Sequence, residues 1–302
     1  MRMLAALLIA GAVASLSVSA AAAELRVIAV DTNLADIAKQ VAGDRASVES
    51  LARPSDDPHH VVARPSMIVK LSRADVFARI GMGLDMWADA LLDRAGNASV
   101  QPDGKGYADC SRGLRALDVP TGRIDPSMGD LHPEGNPHYL LDPAQGILAA
   151  GNIAAALIRV DPAGQAYYHS RFLQFGERVK AGLQRWSTAL KGLPSRDVVP
   201  FHKSWAYFLA RFGLREFGVL EPKPGVEPSP GHVGALGQSI KRAGVKVILC
   251  ESFRSKRWPD LLAGQCGATA AFVPVAVGAD PQAGDYVAMF DTIVQRLVSA
   301  AR

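Results

Sequence analysis

Histidine is scarce in this chain, seven in 302 residues, and its placement is uneven. In GDLHPEGNPHYLLDP, residues 129–143, His132 and His138 stand six positions apart among Gly, Pro and Asn, where the backbone cannot be helical. His59 and His60 follow the turn RPSDDP, and His202 ends the strand-like VVPFH. Pro58 and Pro137 each immediately precede a histidine. They restrict the backbone, so less entropy is lost when the loop is ordered around a ligand. Neutral imidazole suits Zn, Cu and Ni, whereas Mg and Ca prefer oxygen. Three imidazoles from separate segments, His59 or His60 with His138 and His202, would serve one such ion if the fold brings them together. A loop histidine is also commonly a plain surface residue, and spacing alone leaves both possibilities open. His169 and His232 fall on helical patterns and read as ordinary exposed positions.

The elements that must position these side chains alternate along the chain. LRVIAV reads as a strand, LADIAKQVAG as a helix stopped by Gly43, and ASVESLA as a second strand. A helix near 66–71, the strand DVFARIG and the helix LDMWADALLDRAG follow. Residues 98–143 lack periodicity and read mostly as loop, and loops of that length inside compact domains tend to be functional. From about Ala144 the chain turns helical, and the segment 161–193 reads as one long helix begun by Asp161-Pro162 and ended at Gly192. After it, VVPFH, REFGVLE, VKVILCE and TAAFVPVAV read as strands. SWAYFLARFG, PGHVGALGQSIKRAG, KRWPDLLAGQCG and DYVAMFDTIVQRLVSA read as the helices between and after them.

This alternation predicts an α/β protein of two lobes, each with a mainly parallel sheet flanked by helices, joined by the long rigid helix. The expected division is 24–160 for the first lobe, 161–193 for the linking helix and 194–302 for the second lobe. In parallel sheets ligands bind beyond the carboxyl ends of the strands, and His59, His60, His138 and His202 fall at such places.

Residues 1–23 have Arg2, an apolar run and then Ala-rich small residues, the layout of a cleavable secretory signal rather than a spanning anchor. No cysteine follows to carry a lipid, so a soluble periplasmic protein is expected. The net charge of +4 is small and the basic residues are scattered, which excludes a nucleic-acid partner. Cys110, Cys250 and Cys266 are an odd number, so at least one thiol is unpaired. Cys250 and Cys266 read as opposite ends of a βα unit, too far apart to bridge easily, and the disulfide state stays open.

At these residues the chain resembles the cluster A-I, or cluster 9, solute-binding proteins of ABC importers, the ZnuA-like and TroA-like group. Four segments carry the resemblance in family order: SDDPHHVVARPSMIVKLSRADVFARIGMGLDMWADALL, GNPHYLLDP, VPFHKSWAYFLARFGL and EPSPGHVGALGQSIKRAGVKVILCES. The resemblance implies two lobes joined by a long helix, with a single metal ion between them. It implies His59 as first ligand, because the family ligand stands six residues before the proline of Pro-Ser, here Pro65, with His60 as a neighbour able to substitute. It implies His138 as second ligand and His202 as third. Zinc members carry His at the third place and many manganese members carry Glu, which tilts the ion toward Zn2+.

The family's fourth ligand is a carboxylate just past the last strand, and this chain departs from the pattern: the position falls near Val277, and Asp280 follows three residues later. Asp280 or water is therefore expected to complete the shell. Glu251 and Asp142 are expected to back the imidazoles or pin their loop. His132 lies outside the matched pattern and is expected as a solvated loop histidine, the alternative being capture of metal together with Glu134.

The implied function is a periplasmic zinc-binding monomer, not an enzyme, that delivers Zn2+ to an ABC transporter membrane permease and is loaded, in one version, by a periplasmic metallochaperone. A manganese or iron importer component is the alternative. A zinc hydrolase would use the same three imidazoles, but no H-E-x-x-H and no evident general base accompany them.

Overall fold

The computed structural model describes residues 24–122, 125, 129–130 and 132–302. The expected leader at 1–23 lies outside the described residues. The first sheet contains β1 (Leu25–Ala29), β2 (Ala46–Ser50), β3 (Val76–Arg79) and β4 (Tyr107–Asp109), all parallel, in the order β2-β1-β3-β4. The second contains β5 (Asp197–Pro200), β6 (Arg215–Glu216), β7 (Val247–Glu251) and β8 (Thr269–Val273), again parallel, in the order β6-β5-β7-β8. The two lobes thus repeat one topology.

Parallel neighbours need crossovers, and helices supply them. In the first lobe these are α1 (Thr32–Ala42), α2 (Pro65–Ser72) and α3 (Asp89–Ala95), and α4 (Pro143–Val160) follows the sheet. In the second they are α6 (Ala206–Phe212), α7 (Pro230–Ala243) and α8 (Arg257–Cys266), with α9 (Tyr286–Ala300) closing the chain. The long helix α5 (Gln165–Lys191) runs between the lobes. Local chemistry sets several boundaries. The Asp31 carboxylate accepts from Leu34 N–H at 2.8 Å and opens α1. Asp142 does the same for Ala144 at 3.0 Å, with Pro143 as the first helical residue of α4.

One apolar core runs from the first sheet through α4, α5 and α9 onto β7 and β8, and a smaller one fills the space under α7 and α8. The halves are therefore packed as well as tethered. A Cβ on Gly146 of α4 would lie 2.4 Å from the ring of Tyr286 of α9, so glycine is what lets these helices touch. The Tyr286 hydroxyl donates to Leu140 C=O at 2.6 Å beside that contact.

Residues 98–143 are mostly irregular, as expected, and contain β4, a three-residue edge strand too short to show a period. Two strand expectations need correction. REFGVLE contributes only the two residues of β6, and the strand in TAAFVPVAV stops at Val273. All three cysteines are free and buried.

Candidate metal centre

The three histidines come from three strand-to-helix loops. His59 lies between β2 and α2, His138 between β4 and α4, and His202 two residues past the end of β5. The topology places all of them at carboxyl ends of strands, two in the first lobe and one in the second. One ring nitrogen from each lies within 4.8 Å of the others. The ring centroids are 5.0 Å apart for His59 and His138, 5.3 Å for His59 and His202, and 5.4 Å for His138 and His202. The Nε2 atoms of His59 and His138 are 3.2 Å apart. Two nitrogens bound tetrahedrally at about 2.0–2.1 Å from zinc would be separated by roughly 3.3 Å, so this pair already has the spacing of a bound site.

Each loop is braced. Asp57 Oδ1 accepts from His59 N–H at 3.0 Å, and the Trp87 indole donates to Pro58 C=O at 3.2 Å. Asn136 Oδ1 accepts from His138 N–H at 3.0 Å, while its amide donates to Lys203 C=O at 2.7 Å and so ties the Asn-Pro-His loop to the other lobe. His202 is buried, and its Nδ1–H donates to Glu221 Oε2 at 2.6 Å. That bond fixes the tautomer and leaves the Nε2 lone pair for an ion.

The electrostatics keep two of the donors, His59 and His138, unprotonated. Burial, then the charges of His202, His132 and Arg254, push His59 down to about 2. Burial and the neighbouring His59 and His202 hold His138 well below the ordinary imidazole range. A neutral imidazole is the ligating form, so little proton release is needed when a cation enters.

The other expected residues fall as follows. Asp280 is not brought to the histidines: its carboxylate pairs with Arg296 and accepts from Gln282 N–H at 2.9 Å. Its loop is held from the first lobe by Asn33, which donates to Val275 C=O at 2.8 Å and accepts from Val277 N–H at 2.9 Å. His60 is exposed, 3.6 Å from Asp130. Glu251 lines the cavity beside the histidines; its Oε1 accepts from Trp205 at 2.9 Å and from Ser204, and its Oε2 has no hydrogen-bond partner among the described residues. Asp142 touches no histidine. It caps α4 and takes both 2.8 Å bonds from Arg211, so it pins the loop rather than backing an imidazole.

His132 is not the solvated residue expected. It is half-buried, its ring centroid is 5.4 Å from that of His59, and its Nε2 is buried without a hydrogen-bond partner among the described residues. Glu134 beside it is exposed. Sequence reasoning missed Glu221, Asp57 and Arg254. Glu221, at the end of REFGVLE and directly before Pro222, stood where a strand ends, and that position was its only signal.

The chain is 25% identical over 236 residues to the manganese ABC transporter substrate-binding lipoprotein PsaA of Streptococcus pneumoniae, covering 78% of this chain and 74% of that one. It is 22% identical over 251 residues to the high-affinity zinc uptake system protein ZnuA of Bacillus subtilis (strain 168), covering 81% and 76%. A crystal structure of ZnuA superposes with a TM-score of 0.77 at 22% identity, covering 92% of this chain and 99% of that one, which shows the shared fold. Residues 27–300 match the family model of the zinc-uptake complex component A, periplasmic, and the protein belongs to that family, the metal-binding, substrate-binding components of ABC importers, which are not enzymes.

Proposed function

We propose that this protein captures Zn2+ in the periplasm and hands it to the membrane permease of an ABC importer, with residues 1–23 removed on export. The observation that carries the proposal is the convergence of His59, His138 and His202, whose ring nitrogens lie within 4.8 Å of one another. Three nitrogen donors and no carboxylate among them favour a borderline ion such as zinc over manganese, which prefers more oxygen. The fourth position is open to Asp280, released from Arg296, or to water.

Titration of the metal-free mature protein with Zn2+ and Mn2+ tests the proposal. Zinc should bind tighter than micromolar and displace manganese. The paired variant His59→Ala/His202→Ala should lose at least 100-fold in zinc affinity, about 2.7 kcal/mol. Preference for manganese, the ion in the name of the pneumococcal relative, would replace zinc as cargo and leave the importer role standing. Binding unaffected by the paired substitution would remove the site itself.

A further inference from the structure

The wall of the histidine cavity contains a cation, an unexpected neighbour for a site that must accept another. Arg254, on the loop after β7, is largely buried, with 17% of its side chain exposed. Its guanidinium carbon sits 5.4 Å from the ring centroid of Phe201 and 4.9 Å from that of Phe253. Stacking on two aromatic faces fixes the plane of the group and limits the directions its N–H bonds can take.

Two carboxylates on opposite lobes form ion pairs with this guanidinium. Arg254 Nη1 lies 3.4 Å from Asp57 Oδ2 and 3.6 Å from Glu221 Oε1. The remaining oxygens of the same two carboxylates hold the histidines: Asp57 Oδ1 accepts from His59 N–H, and Glu221 Oε2 accepts from His202 Nδ1–H. A path of two hydrogen bonds and two ion pairs therefore runs from His59 through Asp57, Arg254 and Glu221 to His202, crossing from the first lobe to the second. The third acid nearby, Glu251, lies at 4.0 Å from Arg254 Nε, too far for a hydrogen bond, and neither atom has another partner among the described residues.

We infer that Arg254 is a positioning residue of the metal centre: it ties the carboxylate that seats His59 to the carboxylate that orients His202, and so holds donors from both lobes in register before an ion arrives. The inference rests on the proposed metal site. The alternative role for a cation in this place is repulsion of the cargo, and the two roles predict opposite signs. Repulsion alone makes removal of the charge tighten binding, and lysine then substitutes fully. The tie depends on the stacked plane of arginine, which sets Nη1 between the two carboxylates, because an ammonium group sits on a flexible stem and does not stack in the same way.

The test uses the mature chain with Zn2+ in chelator competition and with Co2+ as a spectroscopic stand-in. Arg254→Met and Arg254→Lys should each lower zinc affinity at least tenfold and shift the visible absorption bands of the cobalt complex, which report ligand geometry. Asp57→Asn should weaken binding in the same direction, and the double variant Arg254→Met/Asp57→Asn should be less than additive, since both changes break one path. Unchanged or tighter zinc binding in Arg254→Met, full rescue by lysine, or a lowered melting temperature with normal affinity and spectrum would each overturn the tie. If Arg254→Met does not fold, Asp57→Asn and Arg254→Lys carry the test, and wild-type affinity in both overturns it. Failure of the wild-type protein to bind zinc or any other divalent ion would instead sink the metal-site proposal.

Discussion

The Nδ1 of His202 and the Oε2 of Glu221 lie 2.6 Å apart, and both residues are buried. Glu221 also accepts from Gly225 N–H at 3.1 Å, so the carboxylate is fixed from two sides. Partners of this kind orient a ligating imidazole and raise its basicity, and their loss typically lowers metal affinity 10–100-fold. Glu221→Ala should fall in that range. Glu221→Gln, which keeps an accepting oxygen and loses the charge, should cost less. Chelator competition with Zn2+ measures both, and equal affinity in all three proteins would show that His202 needs no such support.

Asp280 makes a sharper case because its present partner competes with any metal. To ligate, its carboxylate must leave Arg296 and Gln282 N–H. Arg296→Gln should then tighten zinc binding severalfold by freeing the carboxylate, and Asp280→Asn should weaken it about tenfold. Should both variants bind like wild type, water completes the shell and the Asp280–Arg296 pair is structural only.

Acid should destabilise the metal-free protein through His59. Its folded pKa is depressed to about 2, chiefly by burial, while the unfolded chain takes up the proton near the ordinary 6.5. The unfolded state therefore binds more protons below pH 6.5. The neutral folded form is fully favoured above that value and loses ground as pH falls toward the folded pKa. Between pH 6.5 and 5 this amounts to about 1–2 kcal/mol. Urea unfolding of wild type and His59→Gln at the two pH values should show the smaller pH dependence in the variant; parallel behaviour would mean that His59 titrates normally.

Metal addition should act on stability by mass action. With free Zn2+ at a hundred times its dissociation constant, unfolding should become harder by about 2.7 kcal/mol. The melting temperature should rise accordingly and return to the starting value with a chelator. The paired variant His59→Ala/His202→Ala should show no rise.

How much of this was legible beforehand depends on the kind of signal each residue carries. The histidines stood out as candidates because imidazoles are rare here and sit where strands of a parallel sheet end, and the family resemblance then chose His59 over His60 and joined it with His138 and His202. The α/β order was legible from apolar periodicity, and it failed where elements shrink below one period, as at β4 and β6. Asp57, Glu221 and Arg254 were not legible. Charged residues are common, and only the folded path gathers these three from positions as far apart as 57 and 254. His132 was misjudged because Gly and Pro around it predict a loop but not where that loop lies. Here it lies against His59.

The 27-residue helix α5 packs against α1 and α4 on one side and α9 on the other. Two halves that share one stiff wall and one continuous interior resist the wide opening available to lobes that are merely tethered. Under the proposed function, a loaded carrier would then differ from an empty one chiefly in the loops around the mouth, and that rim is what a permease would inspect.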